Sequence, residues 1–510
     1  MEFTLQKKMT AHVGECIAAL LLVQPLLDVL SYFMQAAGTT ALTTGLRMAM
    51  LAAVWLYAFA IAEKKRPYYV MGGVVAGFWL LHMANCFRLG YRDPVGDAAE
   101  YLKLVQFPLW TLAFTTFLKQ RENLDYRAVA CLAGNFAIIL LVIALSYAVG
   151  MPAYTYDYPK RGIQLGVLGW FGVPNAQSAI VTVLVPGVLL WAYRKGKLWL
   201  FSLCALLGFG LLYFTGTRLT YYGAFLIAGG FLVLVALGRK HWLFLLPLGL
   251  ALAALVAFYG LSPMVQRQAM SVDSDSYYQE LGERYLGEDK DFTYREGEEI
   301  PPEILGKIRK LYVEVYGEKG IYNSTLLGDL IDRFGVDAVM EEYRYATDGE
   351  LLYDVRDKKL HALHMVWQEK DLLTRLVGFE YAEATLGENN YDPENDFPAL
   401  RYYYGYVGLL LYGGFCAYFP LLALWRLLWN FRRFWDFISV ELGAYALMLC
   451  LGLGAAQFSG QVLRKPSVTV YLSLACALLL RYLGRWGKGK GENERKSQPA
   501  PHCAGAGNVV

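Results

Sequence analysis

Runs of about 20 apolar residues recur along this chain between short polar joints, and nothing else in the sequence constrains the fold so strongly. A run of that length matches the roughly 30 Å hydrocarbon core of a bilayer. There, only elements that satisfy their own backbone hydrogen bonds persist, and a helix does so within one segment. Hydrophobic residues make up 56% of the 510, more than a soluble core needs. The chain therefore reads as an all-α polytopic membrane protein of about 12 transmembrane helices, near 12–34, 43–62, 67–86, 104–118, 127–149, 177–193, 197–214, 219–237, 241–262, 403–425, 437–456 and 466–484. The fourth of these is the shortest. The first follows Lys7 and Lys8, is long and lacks a small-residue cleavage site, so it reads as a retained span and not a signal peptide.

Lys and Arg resist translocation, so their distribution over alternate joints sets the orientation. One set of joints is basic throughout: Lys64, Lys65 and Arg66; Lys119, Arg121 and Arg127; Arg194, Lys195 and Lys197; Arg239 and Lys240; Arg426, Arg432 and Arg433; Arg481, Arg485, Lys488 and Lys490. That set is expected in the cytoplasm, with both termini and a polar, disordered tail from 485 to 510. Four regions follow: an N-terminal transmembrane region at 1–262, a large loop at 263–400, a C-terminal transmembrane region at 401–484, and the tail.

The loop is expected outside the membrane. It carries 15 Lys and Arg against 30 Asp and Glu, while the rest of the chain carries 32 against 14. The net charge of +3 hides that division. None of the eight cysteines lies in the loop, so disulfides do not organise it and the cysteines signal no metal. Stretches such as PPEILGKIRKLYVEVYG and LGDLIDRFGVDAVMEEYRYA space their apolar residues for short amphipathic helices on the membrane face. No dinucleotide or phosphate-loop glycine pattern, nucleic-acid motif or internal repeat is present, so a nucleotide substrate is not supported.

Several polar residues then stand out. Arg218, in YFTGTRLTYYG, falls at the outer turn of a tight hairpin of spans, where the basic-inside bias gives no reason for it. A lone arginine there can simply snorkel to the headgroups. Arg47, Arg88, Arg161, Arg464 and Lys465 share its oddity, and converging guanidinium groups would make a site for phosphate or diphosphate. Asn175, in GWFGVPNAQSAIVTVLVPG, opens a span and can cap it. Glu394, Asn395 and Asp396 lie just before a span holding Gly405 and Gly408, where an acidic pair also suits plain solvated loop. Arg356 precedes an amphipathic segment whose His361 and His364 sit one helical turn apart; no third metal ligand is evident. The aromatic runs RYYYGY and PAYTYDYPKRG suit sugar stacking, or an ordinary interfacial belt.

In their order these motifs resemble the O-antigen ligase and polymerase family of membrane glycosyltransferases. Gly172, Pro174 and Asn175 match a glycine-x-proline-asparagine helix start, and Thr215 to Arg218 match a threonine-glycine-threonine-arginine corner. A long loop follows. It closes with nine residues between Asn395 and Gly405, and with Gly408 three further on. Where many members carry histidine, this chain has Glu394. Glu394 with Asp396, Arg356 with Asp357, and QPLLDVLSYF at 24–33 look like the Gram-positive branch, which places lipopolysaccharide ligation in doubt.

What the resemblance implies is a GT-C-like enzyme in the cell membrane of a single-membrane bacterium, serving cell-envelope or capsular polysaccharide assembly. It would move a glycan from a polyprenyl-diphosphate-linked donor, such as undecaprenyl diphosphate, to a glycan or glycolipid acceptor. Neither cofactor, metal nor nucleic acid would take part. In that scheme Glu394 is the base with Asp396 as substitute, Arg218 and Arg356 hold the diphosphate, and Asn175, Asn395 and Arg464 contact substrate. The competing class is a transporter or flippase of lipid-linked glycans. Against it stand a loop too large for a carrier and the absence of paired halves with broken helices.

Overall fold

The computed structural model describes residues 9–488 apart from 160–161, 239–240, 291, 318–326, 348–354, 432–436 and 461. The N-terminal lysines, Arg161, Arg239, Lys240, Arg432, Arg433 and the tail from 489 lie outside the described residues. Long helices dominate: α1 (Val13–Ala36), α2 (Ala41–Ile61), α3 (Arg66–Leu89), α4 (Pro94–Lys119), α5 (Leu124–Ala148), α6 (Pro174–Lys195), α7 (Leu198–Thr215) and α8 (Arg218–Gly238). A strand pair, β1 (Tyr156–Tyr158) with β2 (Ile163–Leu165), stands between α5 and α6. After α9 (Leu245–Ala257) comes the loop region with α10 (Pro263–Leu286), α11 (Pro302–Glu314), α12 (Gly328–Phe334), α13 (Val336–Glu342), α14 (Val355–Gln368), α15 (Leu372–Val377) and a second small pair, β3 (Thr385–Leu386) with β4 (Asn389–Asn390). The chain then re-enters the bundle with α16 (Asp396–Trp429), α17 (Val440–Phe458) and α18 (Pro466–Lys488).

Ten of these helices are long and apolar enough to cross a membrane. The other two expected spans differ for clear reasons. Helix α4 begins ten residues before its apolar run, because Asp93 caps it by accepting from the Gly96 amide at 2.9 Å; its first third carries Asp97, Glu100 and Lys103. Helix α9 has only 13 residues, about 20 Å of rise, so it falls short of a bilayer.

Helices α6 and α18 form the centre. Their apolar windows are 89% and 83% buried, against 22% for α2 and α3, which face outward. Helix α6 packs against α5, α7, α8, α17 and α18, and α18 also packs along α4. A helix apolar on every side suits a core position of this kind.

The loop region is fastened to α3 and α4 by buried polar contacts. His82 Nδ1 meets the Val377 carbonyl at 2.8 Å and its Nε2 meets Asp97 Oδ2 at 3.0 Å. Tyr91 donates to Asp97 at 2.6 Å, and the Tyr381 amide donates to the other Asp97 oxygen at 3.0 Å. Asn85 donates to the Gly378 carbonyl, and Glu380 accepts from the Arg92 and Asp93 amides.

The two glycines ending the loop motif have a physical role. Gly405 breaks α16 with φ 62° and ψ −171°, which brings its backbone against that of Leu376 and Val377. A Cβ at Gly405 would overlap Leu376, and one at Gly408 would sit 3.0 Å from Phe78. Gly405→Ala should therefore lower stability by about 2 kcal/mol or more from backbone strain and overlap together. Gly413→Ala, with open space at its Cβ, should be neutral or slightly stabilising. Thermal unfolding of the two variants in detergent checks the contrast.

Candidate functional site

The threonine-glycine-threonine-arginine corner is a helix end followed at once by a helix start. Gly216 closes α7 in the left-handed region (φ 76°), and the Thr217 hydroxyl accepts from the Thr220 amide at 3.2 Å, capping α8. Arg218 is then the first residue of α8 and is exposed. A cation there opposes the helix dipole. Among the described residues it also has no acidic partner, so the corner's electrostatics favour an anion.

Around that corner the chain gathers more positive charge. The Val167 amide donates to the Phe214 carbonyl at 2.8 Å, seating the β1–β2 hairpin on the end of α7. Pro263, which opens α10, lies where a Gly216 Cβ would be 2.7 Å away. Between hairpin and α10 the Arg267 guanidinium stacks 4.6 Å from the centre of the Tyr156 ring. Burial raises the Tyr156 hydroxyl pKa, whereas Arg267, Arg356 and Arg218 all pull it back down. Three arginines from α8, α10 and α14 thus lie within electrostatic reach of one phenol. Neither Tyr156 nor Arg267 stands out individually in the sequence; PAYTYDYPKRG stands out for its aromatics and for Arg161.

Glu394 meets the same group of residues. Arg356 Nε donates to its Oε2 at 2.8 Å, Asn175 Nδ2 donates to the same oxygen at 3.4 Å, and Lys359 Nζ lies 3.9 Å from Oε1. The Glu394 side chain keeps 24% of its surface exposed. Asn175, the second residue of α6, and Arg356 on α14 thus meet at Glu394, just ahead of α16, while Thr217 before α8 donates to Ser178 of α6 at 3.0 Å.

Asp396 and Arg464 sit differently. Asp396 is fully buried; its Oδ2 accepts from the Val462 and Leu463 amides at 2.7 and 2.9 Å, and its Oδ1 from Arg464 Nε at 3.2 Å. Arg464 also pairs with Asp392 at 2.7 Å and donates to the Pro393 carbonyl. Asn395 precedes α16 without capping it through its side chain, and its buried Oδ1 has no hydrogen-bond partner among the described residues. The other outlying cations have local partners or neighbours: Arg47 pairs with Asp28 at 2.6 Å and Arg88 with Asp371 at 2.8 Å, while Lys465 lies beside Arg464.

Two clusters hold metal-ligand residue types. His82, Cys86 and Asp97 are buried with their ligand atoms within 4.8 Å of one another. On the loop, Glu342 at the end of α13 supplies the acid that the sequence lacked beside His361 and His364, accepting from their Nδ1 atoms at 2.7 and 2.8 Å. Burial raises the Glu342 pKa, but the two histidine hydrogen bonds outweigh it and bring the carboxyl down to about 2.

A family model described as O-antigen ligase like membrane protein matches residues 13–485. No curated protein matches the chain.

Two outcomes are expected. Asp396→Asn should cost about 3 to 5 kcal/mol, because it removes a buried charge partner of Arg464 and its single oxygen can face either the two amides or Arg464, not both. Glu394→Gln should change stability by less than about 1 kcal/mol, since its pair is partly solvated; thermal unfolding separates the two. Because the Glu342 pKa is depressed from 4.5 to about 2, its contribution is complete above about 4.5 and fades as pH falls toward 2. Hydrogen-exchange protection factors in α13 and α14 should therefore fall over that range in the wild type, and already be lower at pH 7 in Glu342→Gln.

Proposed function

Since the chain belongs to the O-antigen ligase-like family of membrane proteins, we propose that it transfers or polymerises a glycan from a polyprenyl-diphosphate-linked donor onto an acceptor hydroxyl, at the outer face of the cytoplasmic membrane. The observation that carries this reading is Glu394 held by Arg356 at 2.8 Å and Asn175 at 3.4 Å, with Arg267 stacked on Tyr156 and Arg218 and Arg356 within electrostatic reach of the same phenol. A departing diphosphate needs positive charge, and an attacking hydroxyl needs a base; the cluster offers both within one group of residues.

The lipid part of such a donor also has a place to lie. A largely apolar groove of about 790 Å³ runs between α7 and α9, and its lining includes Tyr213, Phe214 and Phe258, close to the corner that carries Arg218. A polyprenyl chain in it would bring its diphosphate up to the arginines without exposing apolar carbon to water.

In the proposed step the acceptor oxygen attacks the anomeric carbon as the carbon–oxygen bond to the diphosphate breaks. The acceptor proton goes to the Glu394 carboxylate, and the diphosphate leaves with the bonding electrons toward Arg218, Arg267 and Arg356. The resting Arg356–Glu394 pair gives this step an order. While paired, Glu394 is occupied by Arg356; when donor phosphate takes over Arg356, the carboxylate is released to face the acceptor hydroxyl. Asn175 stays to hold the carboxylate in place. Asp396, saturated by two amides and Arg464, acts as a structural anchor and not as the base. Asn395 and Arg464 would act by shaping the segment that carries Glu394.

Removal of one leaving-group arginine should cost about 3 to 4 kcal/mol of barrier, by analogy with the loss of an oxyanion donor, or 10²- to 10³-fold in rate. The test is reconstitution of the purified protein with a polyprenyl-diphosphate-linked oligosaccharide. Wild type should yield longer chains and free diphosphate lipid, or a product once an acceptor is added. Arg218→Ala and Glu394→Gln should fold normally and yield neither. Normal turnover by both variants would remove this site from the mechanism, and silence of the wild type with every acceptor would favour a transporter.

A further inference from the structure

A second polar cavity, of about 290 Å³, opens behind the first turn of α6, between α1, α2, α4 and the start of α18. It absorbs the QPLLDVLSYF stretch of α1, whose Asp28 and Ser31 line it. Its other polar lining includes Arg47, Lys103, Gln177, Arg464 and Lys465. Four cations therefore face one carboxylate, and that carboxylate is already taken by Arg47 at 2.6 Å.

The cavity's hydrogen-bond donors are not satisfied from within. Gln177 is 4% exposed and its Nε2 has no partner among the described residues; Arg47 Nε is likewise buried and unpartnered among them. Leaving such donors unmet costs about 1 to 3 kcal/mol each, so a site that keeps them is built for something that meets them. Lys465 adds an ammonium that makes no ion pair among the described residues. Burial, and then the nearby Lys103, lower its pKa. Lys103 itself pairs with Glu100, and Arg464 is held by Asp392 and Asp396. The free hydrogen-bonding capacity thus rests on Arg47, Gln177 and Lys465, with the hydroxyls of Ser31, Thr43 and Ser467 around them.

Two of its walls are shared with the Glu394 site. Val173 lines the cavity, and two residues later Asn175 donates to Glu394. Arg464 lines it too, while holding Asp392 and the Pro393 carbonyl just ahead of Glu394. A ligand seated here would lie across α6's first turn from the arginines that the donor diphosphate would occupy.

We propose that this cavity is the acceptor subsite, and that it takes a hydroxylated, anionic sugar unit whose negative group is met by Arg47, Gln177 and Lys465. The proposal rests on the transferase reading for the word acceptor; the anion-binding property stands without it. A cavity this large exceeds the share of liquid volume of one water, about 30 Å³. A bound anion would neutralise its excess positive charge. The same chemistry arises from a sugar phosphate or from a sugar acid.

Saturation-transfer NMR on the purified, folded protein with glucose 1-phosphate, glucuronate and neutral glucose distinguishes these sources. At least one of the two anions should bind to wild type and equally to Arg218→Ala, while glucose binds at least tenfold more weakly. Gln177→Leu and Lys465→Met should weaken that anion at least tenfold. Gln177→Leu should do so with unchanged or increased thermal stability, since it removes a buried unmet donor. Loss of binding in Arg218→Ala alone would place the anion in the first cluster, and binding unaffected by any of the variants would also overturn the proposal. In the transfer assay Gln177→Leu should raise the acceptor KM at least tenfold and leave the donor KM unchanged. An inactive wild type that still binds the anion through Gln177 would overturn the transferase reading but leave the anion site standing.

Discussion

The buried pairing of Asp396 with Arg464 is the contact on which the rest of the site depends. Asp396 starts α16, the helix by which the chain returns to the bundle after its long loop, and Arg464 lies just before the last helix. By accepting from two amides of the 459–465 joint as well, the carboxylate fixes that joint to the start of α16. Arg464 then reaches back to Asp392 and Pro393. Glu394 is therefore held from both sides, by Asp392 and Pro393 before it and Asp396 after it, while its own side chain stays partly open. A charge pair taken out of water is seldom a net source of stability, yet it strongly selects one arrangement over its neighbours when every donor and acceptor is met. In this protein the arrangement selected is the one that presents Glu394.

Helix starts supply the other half of the site. Asn175 and Arg218 each lie in the first turn of a helix, on α6 and α8, and such an end carries partial positive charge. An arginine at a helix start is electrostatically out of place in an empty protein. That strain is relieved when an anion arrives, so part of the affinity for a diphosphate is built into the backbone before any side chain moves. Arg267 stacks on the Tyr156 ring, and Arg356 and Arg218 act electrostatically on the same phenol.

Much of this was legible from local rules. Apolar runs located the helices within a few residues, because bilayer length dictates run length. The discrepancies arose where polar residues extend a helix past its apolar stretch, as Asp97 to Lys103 do in α4, or where a short apolar run suggested more length than the helix has, as in α9. Asn175, Arg218, Arg356 and Glu394 were each visible as polar residues in unusual places. That Asn175 and Arg356 reach Glu394, and Asp396 does not, was invisible. The two acids are two residues apart, and only the tertiary contacts of the 459–465 joint send one inward and leave the other open. Tyr156 and Arg267 carried no local signal, since a tyrosine among tyrosines and an arginine on a polar helix are ordinary until the hairpin is seated on the α7 end. Glu342 was hidden for a similar reason: its partners His361 and His364 are 19 and 22 residues away.

The placement of the two glycines shows how the loop and the bundle share one geometry. Gly405 and Gly378 allow the backbones of α16 and the α15 end to touch, at the level where His82, Asn85 and Asp97 fasten the same stretch of loop to α3 and α4. The loop is thus tied to the bundle at a place separate from the Asp396 clamp, one tie made by close backbone contact and the other by a buried charge. A long loop held at both places gives up most of its rigid-body freedom. A site shared between loop and bundle needs that restraint, because a displacement of about 1 Å at a reacting centre costs on the order of 10²-fold in rate.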